Sequence, residues 1–126
     1  MQFADPGEID RQMGAPMNDK LRDSSTDLFF EAVLSLKNKE ECYAFFEDIS
    51  TVAELKSLAQ RLQVALMLRR GRTYSEICDT TGVSTATISR VNRCLEYGAD
   101  GYDLVLDRLS SAGLLSDFSE HQPTEQ

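Results

Sequence analysis

Residues 74–93 read Tyr-Ser-Glu-Ile-Cys-Asp-Thr-Thr-Gly-Val-Ser-Thr-Ala-Thr-Ile-Ser-Arg-Val-Asn-Arg. The stretch predicts a helix-turn-helix extending over about 74–97. Thr73 with Glu76 three residues later is a helix start signal: the hydroxyl accepts an orphan amide while the carboxylate reaches back. Gly82 stands where two steeply crossing helices need a short turn with a positive φ. Cys78, four residues earlier, is small enough to let the helices approach. Ile77, Val83, Ile88 and Val91 are spaced to make a small shared core. Ser84 caps the second helix, which runs from about Thr85 to Tyr97 before Gly98.

The outer face of that second helix offers Thr85, Ala86, Ser89, Arg90 and Arg93. Short hydroxyls and a methyl let a helix N-terminus come close to base edges in a major groove. Ser84, Thr85, Ala86 and Ser89 are therefore the expected base or near-base contacts. Lys56, Arg69, Arg70, Arg72, Arg90 and Arg93 are the expected phosphate contacts. The competing reading is a helical hairpin that docks onto a partner protein.

Charge separates the two readings. The chain of 126 residues carries a formal net charge of -8. Between Lys56 and Arg93, however, seven cations face only Glu76 and Asp79. That segment is net +5, and the remainder carries -13. A basic segment in an acidic protein can meet DNA with one face while the others are repelled. A head built for a protein partner has no need of a salt-sensitive basic rim.

Working outward, the flanking sequence is helical. Leu28, Phe29, Ala32, Val33 and Leu36 share one 3.6-residue face. Asn38 with Glu41 predicts a helix start, and Cys42, Phe45, Phe46 and Ile49 continue it as an apolar stripe. Thr51 with Glu54 repeats the signal before a long helix through Leu55, Leu58, Ala59, Leu62, Ala65 and Leu66, which Gly71 stops. Leu104, Val105, Leu106 and Leu109 predict a last short helix after Gly101. No segment alternates with a period of two, so no sheet is expected. Residues 1–22 read as a flexible N-terminal arm and residues 110–126 as a polar C-terminal tail, leaving 23–109 as the helical domain. Phe29, Phe30, Phe45 and Phe46 load the first two helices with aromatic surface, which points to burial by a second subunit.

Other function classes find no support. No apolar run reaches the roughly 18 residues of a membrane span, and no secretory signal is visible. Three widely spaced cysteines, Cys42, Cys78 and Cys94, read as reduced core residues of a cytoplasmic protein. His121 is the one histidine and lies in the polar tail, so no metal site is expected. Glu40–Glu41 and Glu47–Asp48 are sequence neighbours that do not face each other on a helix. There is no glycine-rich phosphate loop. Neither an enzyme nor a cofactor is expected.

The runs Ser-Leu-Ala-Gln-Arg-Leu-Gln-Val-Ala-Leu-Met-Leu-Arg-Arg-Gly (57–71), Thr-Tyr-Ser-Glu-Ile (73–77) and Gly-Val-Ser-Thr-Ala-Thr-Ile-Ser-Arg-Val (82–91) are similar to the tryptophan-repressor-like proteins of the YerC/YecD group, within the TrpR superfamily. The resemblance extends from about Leu28 to Leu109. It implies an all-α, six-helix, intertwined homodimer. Each subunit would contribute one reading head from its fourth and fifth helices. It also implies a transcription regulator, a repressor by analogy, acting on double-stranded DNA. In the tryptophan repressor an indole lies between two arginines, whose positions match Arg61 and Arg90. Val91 stands where the repressor has a glycine, and its side chain would intrude on the ring. Cys94 replaces a small hydroxyl residue near the ligand amine. Tryptophan is therefore not the expected effector, and an unidentified small molecule stays open.

Overall fold

The computed structural model describes residues 19–120. Most of the expected N-terminal arm, the end of the C-terminal tail and His121 lie outside the described residues. Among the described residues there are six α-helices and no strand. They are α1 (Ser24–Ser35), α2 (Lys39–Ile49), α3 (Val52–Arg69), α4 (Tyr74–Thr81), α5 (Thr85–Tyr97) and α6 (Gly101–Ser111), after a 3-10 turn at Asp19–Leu21. The predicted helices are all present.

Side chains set the helix starts. Asn38 accepts the Glu41 amide at 2.9 Å, but the Glu41 carboxylate reaches past it to the Lys37 amide. At Thr51 and Thr73 both halves of the capping box form, with Glu54 and Glu76. Each such cap contributes about 1 kcal/mol by satisfying amides that the helix cannot. Two starts had no signal in the reading above. Asp23 caps α1 through the Thr26 amide at 2.7 Å. Asp100 precedes α6 with φ +66° and no side-chain cap bond.

The described residues fall into two units, one ending at Leu58 and the other beginning at Ala59. In the first, Phe29, Phe45 and Phe46 form a ring cluster with centroids 5.3–6.3 Å apart. No residue of α1 or α2 is buried. Leu28, Phe30 and Leu34 are 70%, 56% and 73% exposed. These helices thus carry apolar surface that the chain alone leaves in water.

The second unit holds the core. Val64, Ala65, Leu66 and Met67 of α3 meet Ile77 of α4, Ile88 and Val91 of α5 and Leu106 of α6. Each fully buried aliphatic side chain there contributes roughly 1.5–3 kcal/mol through loss of apolar hydration. At the end of α3, Gly71 takes φ +81°. The Gly71 and Arg72 amides bond back to Leu68 and Met67, which satisfies the last carbonyls of the helix.

The tail departs from its polar reading. Helix α6 runs on to Ser111, and the chain then folds back. Leu115 and Phe118 pack against the core, and Glu120 is buried. Cys94 also corrects the expectation that all three cysteines are core, because it is exposed; Cys42 is half-buried on a helix without a buried residue, and Cys78, half-buried, packs against the core. Its position on α5 falls beside, not on, the stripe of Ile88, Val91 and Leu95.

Candidate nucleic-acid interface

Helices α4 and α5 form the predicted helix-turn-helix. Gly82 adopts φ +77° and its amide bonds to the Cys78 carbonyl at 2.8 Å. Thr81 ties the turn from both sides, donating to the Ile77 carbonyl and accepting the Val83 amide. Gln60 of α3 donates to the Thr81 carbonyl at 3.3 Å. Ile77, Ile88 and Val91 are buried and Val83 packs against them, as their spacing predicted. The buried side of α5 is thereby held, which determines what the other side presents.

That other side carries Thr85, Ala86, Ser89, Arg90 and Arg93, all exposed. Their spacings of three and four residues place them on one strip of the helix. Ser84 stands at the start of the strip, but its hydroxyl oxygen accepts the Thr87 amide at 3.2 Å and lies 3.2 Å from the Thr87 hydroxyl. It therefore combines a capping role with its expected place near a base edge.

The expected phosphate contacts divide into two groups. Arg90 and Arg93 project from α5 and enter none of the ion pairs that hold Arg69, Arg70 and Arg72. Arg69 pairs with Asp103 at 3.4 Å and Asp107 at 2.7 Å on α6. Arg70 reaches Glu120 at 2.8 Å and also donates to the Leu115 carbonyl. Arg72 reaches the other Glu120 oxygen at 2.9 Å. Asp103, Asp107 and Glu120 all lie outside the basic segment, so its net +5 overstates the free positive charge. Lys56 is exposed on the part of α3 that belongs to the first unit.

Glu120 is the most enclosed acid of this cluster. Its side chain is 5% exposed, and its own backbone carbonyl accepts Gln63 Nε2 at 3.0 Å. The Arg70 guanidinium, aided by Arg72, holds its carboxyl below the ordinary glutamate range against the opposing effect of burial. No motif marked Glu120. Only the recurrence of Leu115 and Phe118 among polar residues hinted that the segment packs.

Arg61 is half-buried on α3, whereas Arg90 is exposed on α5. Tyr102 of α6 registers both Arg61 and Cys94. Burial, then the Cys94 thiol, pushes its phenol upward, while Arg61 pulls it down. Val91 is 1% exposed and its side chain belongs to the core. Among the described residues no group of three or more His, Cys, Asp or Glu is placed to hold a metal. No described helix is long and apolar enough to cross a membrane.

Comparison with known proteins agrees with this geometry. Residues 24–110 match the Trp repressor protein family. The uncharacterized protein YerC of Bacillus subtilis is 59% identical over 91 residues, covering 72% of this chain and 88% of YerC. A solved TrpR-like protein from Eubacterium eligens is 56% identical, covers 74% of this chain and 96% of its own, and superposes with a TM-score of 0.72. A solved chain from Staphylococcus aureus is 52% identical over 75% of this chain and 96% of its own, also with a TM-score of 0.72.

Proposed function

The chain belongs to the Trp repressor family, and from that premise we propose that it is a sequence-specific, DNA-binding transcription regulator of the cytoplasm. It acts as a homodimer, and its expected sign of action is repression. The observation that carries this reading is the exposed strip of α5. Thr85, Ala86 and Ser89 are small, Arg90 and Arg93 follow at helical spacing, and Ile88 and Val91 anchor the opposite side in the core. Helix α5 enters the major groove by its N-terminal end. Ser84, Thr85, Ala86 and Ser89 meet base edges there, while Arg90 and Arg93 meet phosphates. Helix α4 crosses the backbone, with Arg69, Arg70 and Arg72 ahead of it.

The first unit supports the dimer. Leu28, Phe30 and Leu34 are exposed in the single chain, and a second copy is the partner that gives two heads on one duplex. A family-type indole site is not proposed, because Val91 stands beside Arg90 where the resemblance implies a glycine. A ligand near Arg61 would have to be of another kind.

The test is a titration of the full-length protein into labelled duplex DNA at several salt concentrations. The reading predicts binding whose affinity falls steeply with salt, because each neutralised phosphate releases a counterion. Binding that is absent even at low salt removes the reading and favours a helix-turn-helix used for protein contacts.

A further inference from the structure

The buried position of Glu120 is not explained by DNA reading. Its two carboxylate oxygens receive Arg70 Nη1 at 2.8 Å and Arg72 Nε at 2.9 Å. Two arginines thus close on a two-oxygen anion with one charge-assisted bond each, a kind of bond that arginine makes to carboxylate and phosphate alike. The site stands at an informative place in the fold. Arg72 immediately precedes Thr73, the cap of α4, and the first helix of a helix-turn-helix is the one that crosses the DNA backbone. The segment that delivers Glu120 is itself docked. Leu115 and Phe118 pack on the core, Arg70 holds the Leu115 carbonyl, and Gln63 holds the Glu120 carbonyl. Glu76 and Asp79 line the hollow beside Arg72 and Glu120, so Arg70 is the better placed cation toward an outside anion.

We propose that Glu120 is an internal stand-in for a DNA phosphate: its carboxylate fills the Arg70–Arg72 site, and the duplex backbone gains that site only by displacing the segment 114–120. The inference rests on the DNA-binding reading above. In the free protein the segment keeps two arginines from non-specific duplex. On a cognate site the base contacts of α5 supply the free energy that displaces it. Specificity therefore rises, because arbitrary sequences bear the cost of displacement without the compensating base contacts.

The experiment compares full-length wild type, Glu120→Gln and Asp117→Asn on a labelled duplex of arbitrary sequence. Asp117→Asn is the control, since it removes one exposed negative charge from the same segment without touching Arg70 or Arg72. The proposal expects Glu120→Gln to tighten binding on the order of tenfold beyond the control, because the amide loses the negative charge and one of the two acceptor oxygens that hold the arginines. Equal affinity of the two variants, or weaker binding by Glu120→Gln, overturns it and makes Glu120 a structural anchor. Hydrogen exchange on the wild type decides independently of whether the variant folds. Added duplex bearing a preferred sequence, recovered by selection from a random pool, should raise exchange in residues 114–120, and unchanged or lowered exchange on that duplex overturns displacement. Wild-type binding in the same titration reports on the DNA reading itself. If it is present while the variants agree, only the displacement proposal falls; if no protein binds duplex at low salt, both fall.

Discussion

The Gly82 amide donates to the Cys78 carbonyl at 2.8 Å, from a residue whose φ is +77°. This bond ends α4 and turns the chain toward the Ser84 cap of α5, so the angle of the reading helix depends on a left-handed residue. A Cβ at Gly82 would meet nothing within 4 Å, and the cost of Gly82→Ala is therefore backbone strain alone. That strain is about 1–2 kcal/mol, which lowers the melting temperature by several degrees. Gly82→Asn should lose less, because asparagine tolerates this region better. Thermal unfolding followed by circular dichroism checks both.

The capping box of α4 supplies a second test. Thr73 accepts the Glu76 amide at 3.1 Å and Glu76 returns to the Thr73 amide at 2.9 Å. Thr73→Ala should cost about 1 kcal/mol in denaturant unfolding, and Thr73→Ser much less, because serine keeps the acceptor.

Base and phosphate contacts are separable by substitution. Thr85→Ala should lower discrimination between sequences more than it lowers affinity. Arg93→Ala should weaken all sequences alike and reduce the salt slope by roughly one unit. Anisotropy titrations on a preferred and a scrambled duplex, each at several salt concentrations, measure the two effects.

Leu34 is 73% exposed on α1, in a unit without a buried α1 or α2 residue. Leu34→Glu should shift the protein toward monomer in sedimentation equilibrium and weaken duplex binding at least tenfold through loss of the second head. A monomeric wild type would remove this account of the face.

Acid should release the folded-back segment. The folded-state pKa of Glu120 is depressed, first by Arg70, so its anchoring is fully present above the ordinary glutamate value and is lost as pH falls through the lower folded value. The side-chain NMR signals of Arg70 and Arg72 should move together below the ordinary glutamate range. In Glu120→Gln that step should be absent.

Much of the fold was legible because its determinants are local. Thr51, Thr73 and Ser84 announce helix starts within three residues, and Gly82 announces the turn between α4 and α5. The strip from Thr85 to Arg93 follows from the burial of Ile88 and Val91. What stayed hidden depends on contacts between residues far apart in sequence. Arg69 finds Asp107, and Arg70 and Arg72 find Glu120, across separations of 38, 50 and 48 residues. A charge count along the chain treats these arginines as free. The start of α1 at Asp23 and the left-handed Asp100 lacked the paired residue that makes a cap recognisable, and Cys94 lies one helical step off the buried stripe.

The central claim, that two α5 helices of a dimer read DNA, is tested most directly by selecting bound sequences from a random duplex pool at near-physiological salt. The account predicts a two-fold symmetric site whose half-sites lie about one helical turn apart. Recovery of duplex without any enriched sequence, or of a single unpaired half-site, would contradict it.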